Sequence, residues 1–458
     1  MKHHHPRGLV RMTLIAAAAL SAISAHAGVN TLVGWASLPA ATVAEGPTTG
    51  QFGGTGFGAN SGLLPIINGQ SVQGFSAVLD GPTPGSYYVM PDNGFGTKAN
   101  SADALLRVYA MQPDFKAWNG SAVTGSGTVS PLNYSTGAAQ GNFNSSTFIS
   151  LRDTDGKLLS PIQANYTNYY NNPANPTVDA TIKANRLLTG ADFDIESMRK
   201  DKNGNLWFGE EFGPFLIKTD ATGKVLRSEV SLPGVFAPEN PLRGTTAANL
   251  GSSRGFEGMA INKAGDKLFT LLEGTVTGDA AKTLRINEFS VDSESYTGAS
   301  WQYKLDANGT NIGDMTMVDD HTALVLERNG GTGTNGTPFK KVFKIDLSTL
   351  DADGYAQKTE LIDLMNIADP HDLNGDGNTT FTFPYVTIED ILLVDDHTVL
   401  IMNDNNFPGG GGRSAAPDIN EFLLINLANP VPEPESWALA LGGLAMLGQL
   451  ARRKAVAK

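Results

Sequence analysis

The chain of 458 residues contains no cysteine, and only 17% of its residues are charged. The absence of cysteine excludes disulfides and thiolate metal ligands, so stability has to come from a packed core, which a chain of this length can bury. No uninterrupted apolar run reaches the roughly 20 residues that a membrane-spanning helix needs. Residues 28–430 also lack long apolar helical patterns. Together these absences favour a fold built from strands.

Positive charge is scarce: 33 Lys and Arg face 46 Asp and Glu, which gives a net charge of −13. The first 27 residues contribute three cations, and the last 28 contribute four cations and two acids, so the body between them carries about −18. Binding to nucleic acid draws its free energy from Lys and Arg that neutralise phosphates. The charge balance therefore predicts no nucleic-acid partner.

The N-terminus has the order of features of a secretory signal. Lys2, Arg7 and Arg11 form a basic leader, MTLIAAAALSAI follows as an apolar stretch, and AHA ends at Ala27. This order is typical of a cleaved signal peptide. We predict that residues 1–27 are a signal peptide and that they take no part in the fold.

The C-terminal segment 431–458, VPEPESWALALGGLAMLGQLARRKAVAK, places a Pro/Glu motif before an apolar run and a basic end. It closely resembles the PEP-CTERM sorting tail. The resemblance implies export in a Gram-negative bacterium, processing by an exosortase-type sorting enzyme and delivery to the cell surface or extracellular matrix. The apolar run, residues 437–451, would anchor the chain transiently in the inner membrane as a transmembrane helix. Membrane contact is expected only through this segment.

A strand–turn–strand pattern recurs along the body, and each copy begins with an apolar strand. The copies begin at GFSAVL, DIESM, GFEGMAI, GDMTMV and IEDILLV. Each copy is followed by a polar or glycine turn and a second apolar strand, which is the pattern of a β-hairpin. Further segments with a strand-like pattern follow each hairpin, so the repeat predicts units of four strands. Repeats of four strands are typical of β-propeller blades.

The predicted fold is therefore an all-β propeller over residues 28–430. Six blades are favoured and five are the alternative, because residues 117–190 contain little beyond TFISLRD that reads as a strand. The last unit ends after its third strand, EFLLINL, whereas TLVGWASL at residues 31–38 has no partner nearby. Pairing these two strands would close the ring and remove two exposed edges.

Carboxylates recur at matching places in the repeat, and in a propeller such places point to a common centre. One set lies in the first strands: Glu196, Glu257, Asp314 and Glu389. A second set ends the second strands: Asp92, Glu210, Glu211, Glu273, Glu327 and Asp404. Like charges held close together raise one another's pKa unless a cation lies between them, and Ca²⁺ prefers oxygen ligands. The sequence thus predicts a calcium site at one end of the channel, with these ten acids as candidate ligands.

Cations near the same end would receive an anionic substrate. Arg254 precedes GFEGM, Arg328 follows Glu327, and Lys218 lies on a third strand. An anion that approaches an acidic site needs such charges of opposite sign. We predict Arg254, Arg328 and Lys218 as substrate-binding residues.

Other motifs are less informative. GSSRG at 251–255 fits the G-x-S-x-G pattern but lacks the strand-to-helix context of a nucleophile elbow. DLNGDGN at 372–378 has the spacing of a calcium loop with Phe383 at the twelfth position, so an EF-hand is excluded and a weak calcium loop stays open.

The run DIESM, NLWFGEEFGPFLIKTDATGKVL, GFEGMAI and NDNNF resembles the phytase-like propeller family, described as having an esterase-like activity of phytase. The resemblance covers about residues 70–427 and implies a metal-assisted hydrolase of phosphoesters or other esters. Under this hypothesis we predict Glu211 and Glu257 as the catalytic acids. Two alternatives stay open. One is a non-catalytic surface module that Ca²⁺ rigidifies and that binds matrix polysaccharide or protein. The other is a sugar-lactone hydrolase.

Overall fold

The structure is a computed structural model that describes residues 28–52, 62–169, 172–414 and 416–431. The predicted signal peptide at 1–27 and the apolar run predicted as a membrane anchor lie outside the described residues. Within the described ranges, no helix is both long enough and apolar enough to cross a membrane.

The regular secondary structure of the described chain is almost entirely β-strand, as predicted. Three strands precede the first repeat: β1 (Thr31–Leu38), β2 (Val43–Glu45) and β3 (Gly69–Ser71). The first repeat and the segment after it contain β4 (Phe75–Asp80), β5 (Tyr87–Pro91), β6 (Arg107–Asp114), β7 (Ala117–Trp118), β8 (Val123–Thr124), β9 (Thr128–Pro131) and β10 (Phe148–Ser150). A 3-10 turn (Gln163–Asn165) and one short helix, α1 (Ala180–Ala184), follow.

The remaining strands continue the repeat. The second group is β11 (Ile195–Lys200), β12 (Leu206–Glu210), β13 (Phe215–Thr219) and β14 (Val230–Ser231). The third is β15 (Phe256–Ile261), β16 (Lys267–Leu272), β17 (Thr283–Ser290) and β18 (Ser295–Lys304). The fourth is β19 (Asn311–Met317), β20 (Thr322–Arg328), β21 (Lys340–Leu350) and β22 (Ala356–Asp363). The last strands are β23 (Ile367–Ala368), β24 (Thr380–Phe381), β25 (Thr387–Asp395), β26 (Thr398–Asp404) and β27 (Asn420–Asn426).

Antiparallel pairing groups these strands into five blades within the described residues. Blade 1 is β4, β5, β6 and β9, blades 2 to 4 are β11–β14, β15–β18 and β19–β22, and blade 5 is β25, β26, β27 and β1. The first strands of successive blades are neighbours in the order β4, β11, β15, β19, β25 and back to β4. The fold is therefore a β-propeller, and the favoured count of six blades is not confirmed.

The core lies between the blades. Five apolar clusters each join two consecutive blades, including the closing contact between blade 5 and blade 1. Large aromatic side chains fill these layers; Trp207 and Phe256, for example, pack together between blades 2 and 3. Because each blade buries both faces, its inner strands are apolar throughout rather than alternating.

The ring closes as predicted. Strand β1 pairs with β27 in antiparallel register from Thr31 opposite Asn426 to Leu38 opposite Asn420. The N-terminal strand thereby supplies the fourth strand of blade 5. Pairing with β1 covers an edge of β27 that would otherwise present unpaired backbone groups.

Residues 117–190, where a sixth blade was expected, form no further four-stranded sheet among those described, and β9 from this segment joins blade 1. The short strand β10 pairs with β6 beside β9 and so completes the outer edge of blade 1. The rest of this segment contains the 3-10 turn and helix α1. Its Asn- and Ser-rich composition suits loops that hydrogen-bond their own backbone.

Every first strand has a register irregularity at the same place. The extra residue in the five strands is Ser76, Glu196, Glu257, Gly313 and Glu389 in order. A bulge at a strand start turns a side chain out of the regular alternation. Glu196, Glu257 and Glu389 are therefore equivalent around the ring, whereas the equivalent position in blade 4 is Gly313 and not the predicted Asp314.

Candidate metal and substrate site

The bulges aim carboxylates into one end of the central channel, which we call the axial mouth. It is lined by eight acids, Asp92, Asp194, Glu196, Glu211, Glu257, Glu273, Glu389 and Asp404, and by three cations, Lys98, Arg254 and Arg328. The acids come from blades 1, 2, 3 and 5, and Arg328 comes from blade 4. Residues remote in the sequence therefore share one site, as the repeat predicted.

Two groups of three carboxylates lie close enough to hold a cation. Asp92, Asp194 and Glu196 form one group between blades 1 and 2, with ligand oxygens all within 4.8 Å of one another. Glu211 joins Glu257 and Glu273 of blade 3 in the second group, within the same limit. Both donor sets consist of carboxylate oxygens, which suit a hard divalent cation.

Two oxygens in these groups have no hydrogen-bond partner among the described residues. They are Glu211 Oε1 and Asp194 Oδ1, and both residues are buried, with exposed fractions of 5% and 3%. Leaving a buried carboxylate oxygen without a partner is costly. The residues therefore fit a cation bound between them, because coordination would satisfy these oxygens.

Arg328 takes the place that a carboxylate holds in the other blades. It follows Glu327 at the end of β20, where the equivalent residues are Asp92, Glu211, Glu273 and Asp404. Its Nη2 donates to Glu257 Oε1 at 2.8 Å and to Glu389 Oε1 at 2.5 Å, and it lies 3.7 Å from Glu273 Oε1. Arg328 thus neutralises part of the mouth from within the protein.

The remaining mouth residues are held by short local contacts. Arg254 forms an ion pair with Glu273, and its side chain stays 42% exposed. Ser76 Oγ donates to Glu389 Oε2 at 3.0 Å. Asp404 accepts from the Asn406 backbone N at 2.6 Å and from Thr387 Oγ1 at 3.1 Å. These contacts orient the carboxylates before any ligand binds.

Burial and mutual repulsion raise the pKa values of the acids. Burial raises the pKa of Glu389 to about 8 despite the charge of Arg328. Burial raises the pKa of Asp404 to about 7, with a further contribution from Asp92, and that of Asp194 to about 6. Burial also places the pKa of Glu211 well above its usual range, and the charge of Glu273 adds to this shift.

These shifts predict the pH dependence of stability without metal. Because the raised pKa values make the folded state bind more protons than the unfolded chain, stability is highest below the ordinary carboxyl pKa. We expect the free energy of unfolding of chelator-treated protein to fall from pH 5 to pH 8, as denaturant titration would measure. Saturating Ca²⁺ should flatten this dependence, and Glu389→Gln should reduce its slope. Metal-free protein that becomes more stable toward pH 8 would contradict this prediction.

Four predicted site residues lie elsewhere. Asp314 stands one residue past the bulge and accepts from Arg199 Nη2 at 2.9 and 3.0 Å, deeper in the channel. Glu210 accepts from the backbone N of Phe212 and Gly213 and so holds the turn after β12. The register therefore corrects the predicted equivalence of Asp314 with Glu196, Glu257 and Glu389.

Glu327 and Lys218 are the other two. Glu327 accepts from Tyr303 Oη of blade 3 and from Lys358 Nζ of blade 4, each at 2.5 Å, and so joins these two blades. Lys218 pairs with Glu294 at 2.6 Å and lies over the ring of Trp207. Both therefore have partners in the structure other than a ligand at the mouth.

Blade 4 has glycine, Gly313, at its bulge in place of a carboxylate, because no side chain fits at this position. A Cβ added to Gly313 would lie 2.0 Å from the carbonyl oxygen of Ile388 in blade 5. Only glycine allows this approach of two backbones.

Sequence reasoning missed Asp194 and Lys98. Asp194 stands two residues before Glu196, and the period of a strand would have placed both on one side. Lys98 lies half-buried in the loop after β5, with its Nζ 4.4 Å from the centroid of the Phe212 ring. Burial lowers its pKa, against the opposing charges of Glu210, Asp192 and Asp194. No periodic signal marks a residue in such a loop.

The loop at 372–378 shows internal hydrogen bonds. Asp372 Oδ1 accepts from the Gly377 backbone N at 3.0 Å, and Asn374 Nδ2 donates to Asp376 Oδ2 at 3.0 Å. In the described part of the chain, the groups of three carboxylates close enough for a cation lie at the mouth and not in this loop. A weak calcium loop there stays a prediction.

A ring of blades with an oxygen-lined axial mouth defines a β-propeller with a candidate cation site. The chain belongs to the phytase-like family: the family model, described as "Esterase-like activity of phytase", matches residues 70–407. A PEP-CTERM protein-sorting motif matches residues 430–455. This motif indicates export and surface or membrane-associated sorting in Gram-negative bacteria, and recognition by exosortase-type sorting machinery.

Solved structures with similar folds include enzymes that act on different substrates. An α-L-arabinofuranosidase from Podospora anserina is 12% identical, covers 87% of this chain and 99% of its own, and has a TM-score of 0.38. A luciferin-regenerating enzyme is 10% identical, with coverage of 90% and 97% and a TM-score of 0.34. The comparison with curated proteins finds no match. At these TM-scores the similarities carry no conclusion about activity.

Proposed function

We propose that this exported propeller is a divalent-cation-assisted ester hydrolase, with Ca²⁺ as the first candidate cation, and that the axial mouth is its active site. One observation carries the proposal: Glu211 belongs to a three-carboxylate group, is buried and keeps one oxygen without a partner among the described residues. The description of the family supports an esterase-like reaction. The all-carboxylate donor set supports a hard cation.

The residues of the mouth would have different roles in the reaction. Glu257 is fixed by Arg328, so it is suited to hold a cation in a constant position. When one oxygen of Glu211 holds the cation, the other oxygen can accept a proton from an attacking water, which is the role of a general base. Arg254 is partly exposed and can contact the substrate, whereas Arg328 is buried. A bound divalent cation would supply Lewis acidity toward the ester oxygen.

The test is Ca²⁺-dependent hydrolysis of 4-nitrophenyl esters by the full chain, with and without chelator. Glu211→Gln keeps the shape of the side chain but removes the base, so we expect turnover to fall by about 100-fold or more. The matched control is Glu360→Gln, an acid on the outer strand β22 that pairs with Lys341. The control should keep full activity. Turnover that persists in chelator, or in Glu211→Gln, would reject the proposal.

A second candidate function is a calcium-stabilised binding module for matrix polysaccharide or protein. It is favoured by the fact that each carboxylate group takes residues from two adjacent blades, so a bound cation would join blades. Ca²⁺ would then raise the melting temperature, because it binds only the folded state. Calcium-dependent melting without turnover of any ester would favour this module over the hydrolase.

A further inference from the structure

The charge of the axial mouth restricts which esters it can receive. Its eight acids and three cations give a net charge of −5 when all are ionised. One bound divalent cation would leave −3, and a cation in each three-carboxylate group would leave −1. The mouth therefore stays negative at every metal occupancy that the two groups allow.

Charged residues just outside the mouth do not reverse this sign. Nearby acids add to the negative side, since Asp192 and Glu239 also act on Lys98. The internal segments that the structure leaves undescribed, 53–61, 170–171 and 415, contain no charged residue in the sequence.

The three cations are also largely engaged. Nη2 of Arg328 is shared between Glu257 and Glu389, and Arg254 is paired with Glu273. The Nε of Arg328 has no hydrogen-bond partner among the described residues, but it is buried. Lys98 is half-buried, with its Nζ 4.4 Å from the centroid of the Phe212 ring, and several acids act on it. A multiply charged phosphate needs several free donors of positive charge, as Arg clusters provide. The mouth has no such cluster among the described residues.

From this charge balance we infer that the substrate is a neutral or singly charged ester, such as a carboxylic ester or a phosphodiester, and not a multiply phosphorylated compound. The inference rests on the proposed function, because it concerns what the same mouth hydrolyses. It also goes against the phytase in the family's description, since phytate carries many negative charges. A neutral ester meets no repulsion, and a monoanion meets the least among anions.

The experiment uses two series in which substrate charge changes stepwise, with the full chain at pH 8 and buffered free Ca²⁺. The turnover series is 4-nitrophenyl acetate, bis(4-nitrophenyl) phosphate and 4-nitrophenyl phosphate, with charges of 0, −1 and −2. Rates are compared as enhancements over the uncatalysed reaction. We expect each added negative charge to lower the enhancement by about tenfold. Added salt should raise the rate for the dianion and leave the neutral ester unchanged, because salt screens repulsion.

The binding series is trimethyl, dimethyl and methyl phosphate, followed by phosphorus NMR line broadening. Binding should weaken from the neutral to the dianionic compound. Asp404→Asn removes one charge of the mouth outside both three-carboxylate groups, so it should improve the relative binding of methyl phosphate several-fold. The matched control is Asp353→Asn in the exposed turn between β21 and β22, which should change nothing.

The outcomes separate the two claims. Charge-ordered binding without turnover of any ester would reject the proposed hydrolase and retain the charge preference. Methyl phosphate that binds as tightly as trimethyl phosphate, no binding in the whole series, or a dianion that is hydrolysed as efficiently as the neutral ester, would overturn the inference.

Discussion

Leu32→Asp should abolish stable folding under conditions where Val33→Asp has almost no effect. Leu32 is 2% exposed and packs into the core between blades 4 and 5, whereas its neighbour Val33 is 39% exposed. The substitution removes an apolar contact and leaves a carboxylate without a partner in that core. We expect a loss of about 4 kcal/mol or more, a large part of the 5–15 kcal/mol that a folded protein has in total.

Denaturant unfolding followed by circular dichroism measures this difference. The two variants have the same charge and lie in the same strand, so charge alone cannot explain a difference between them. The effect should be large because β1 closes the ring, and a displaced β1 exposes an edge of β27. Equal stability of the two variants would mean that β1 does not close blade 5 in solution.

Arg328→Met should be the most destabilising single change at the axial mouth. Arg328 is 6% exposed and its guanidinium contacts Glu257 and Glu389, so its removal leaves two buried carboxylates facing each other. Breaking a buried ion pair by removing one partner costs about 3–5 kcal/mol. The matched control is Lys267→Met, which breaks a pair with Glu288 on the surface and should cost less than about 1 kcal/mol.

Thermal unfolding with and without Ca²⁺ tests both the loss and its cause. If repulsion between the acids causes the loss, Ca²⁺ should restore more stability to Arg328→Met than it adds to the wild type, because the ion replaces the missing charge. Adding Glu389→Gln should likewise recover part of the loss, which a double-mutant cycle would show as coupling. A metal-free Arg328→Met protein as stable as the wild type would contradict the proposed role of the arginine.

The site shows how far a repeat predicts position. The repeat correctly placed Glu196, Glu257 and Glu389 together, because matching residues of successive blades surround one axis. It misplaced Asp314, since the bulge in blade 4 falls on Gly313 and the aspartate comes one residue later. A shift of one residue turns a strand's side chain to another side. The length of an apolar run does not reveal where a bulge lies.

Two acids that are adjacent in the sequence make different contacts, because neighbouring side chains of a strand point to different sides. Glu210 and Glu211 are adjacent, yet Glu210 accepts from backbone N–H groups of its own turn and Glu211 faces Glu257 and Glu273. Lys98 reaches the mouth from a loop. The position of its side chain there depends on its packing against Phe212 and not on any period of the sequence. Such loops carry function without a local pattern that would predict their geometry.

The sequence by itself determined the strand-rich fold, the repeat, the closing strand β1 and the excess of acids at matching places. These features follow from local patterns, since apolar strands, turn residues and repeated spacing act within a few tens of residues. The tertiary structure alone decided the five blades of the described chain, the place of each bulge and the partners of each carboxylate. Those depend on contacts between residues far apart in the chain, such as Arg328 with Glu257 and Glu389, because close approach and burial are properties of the packed ring.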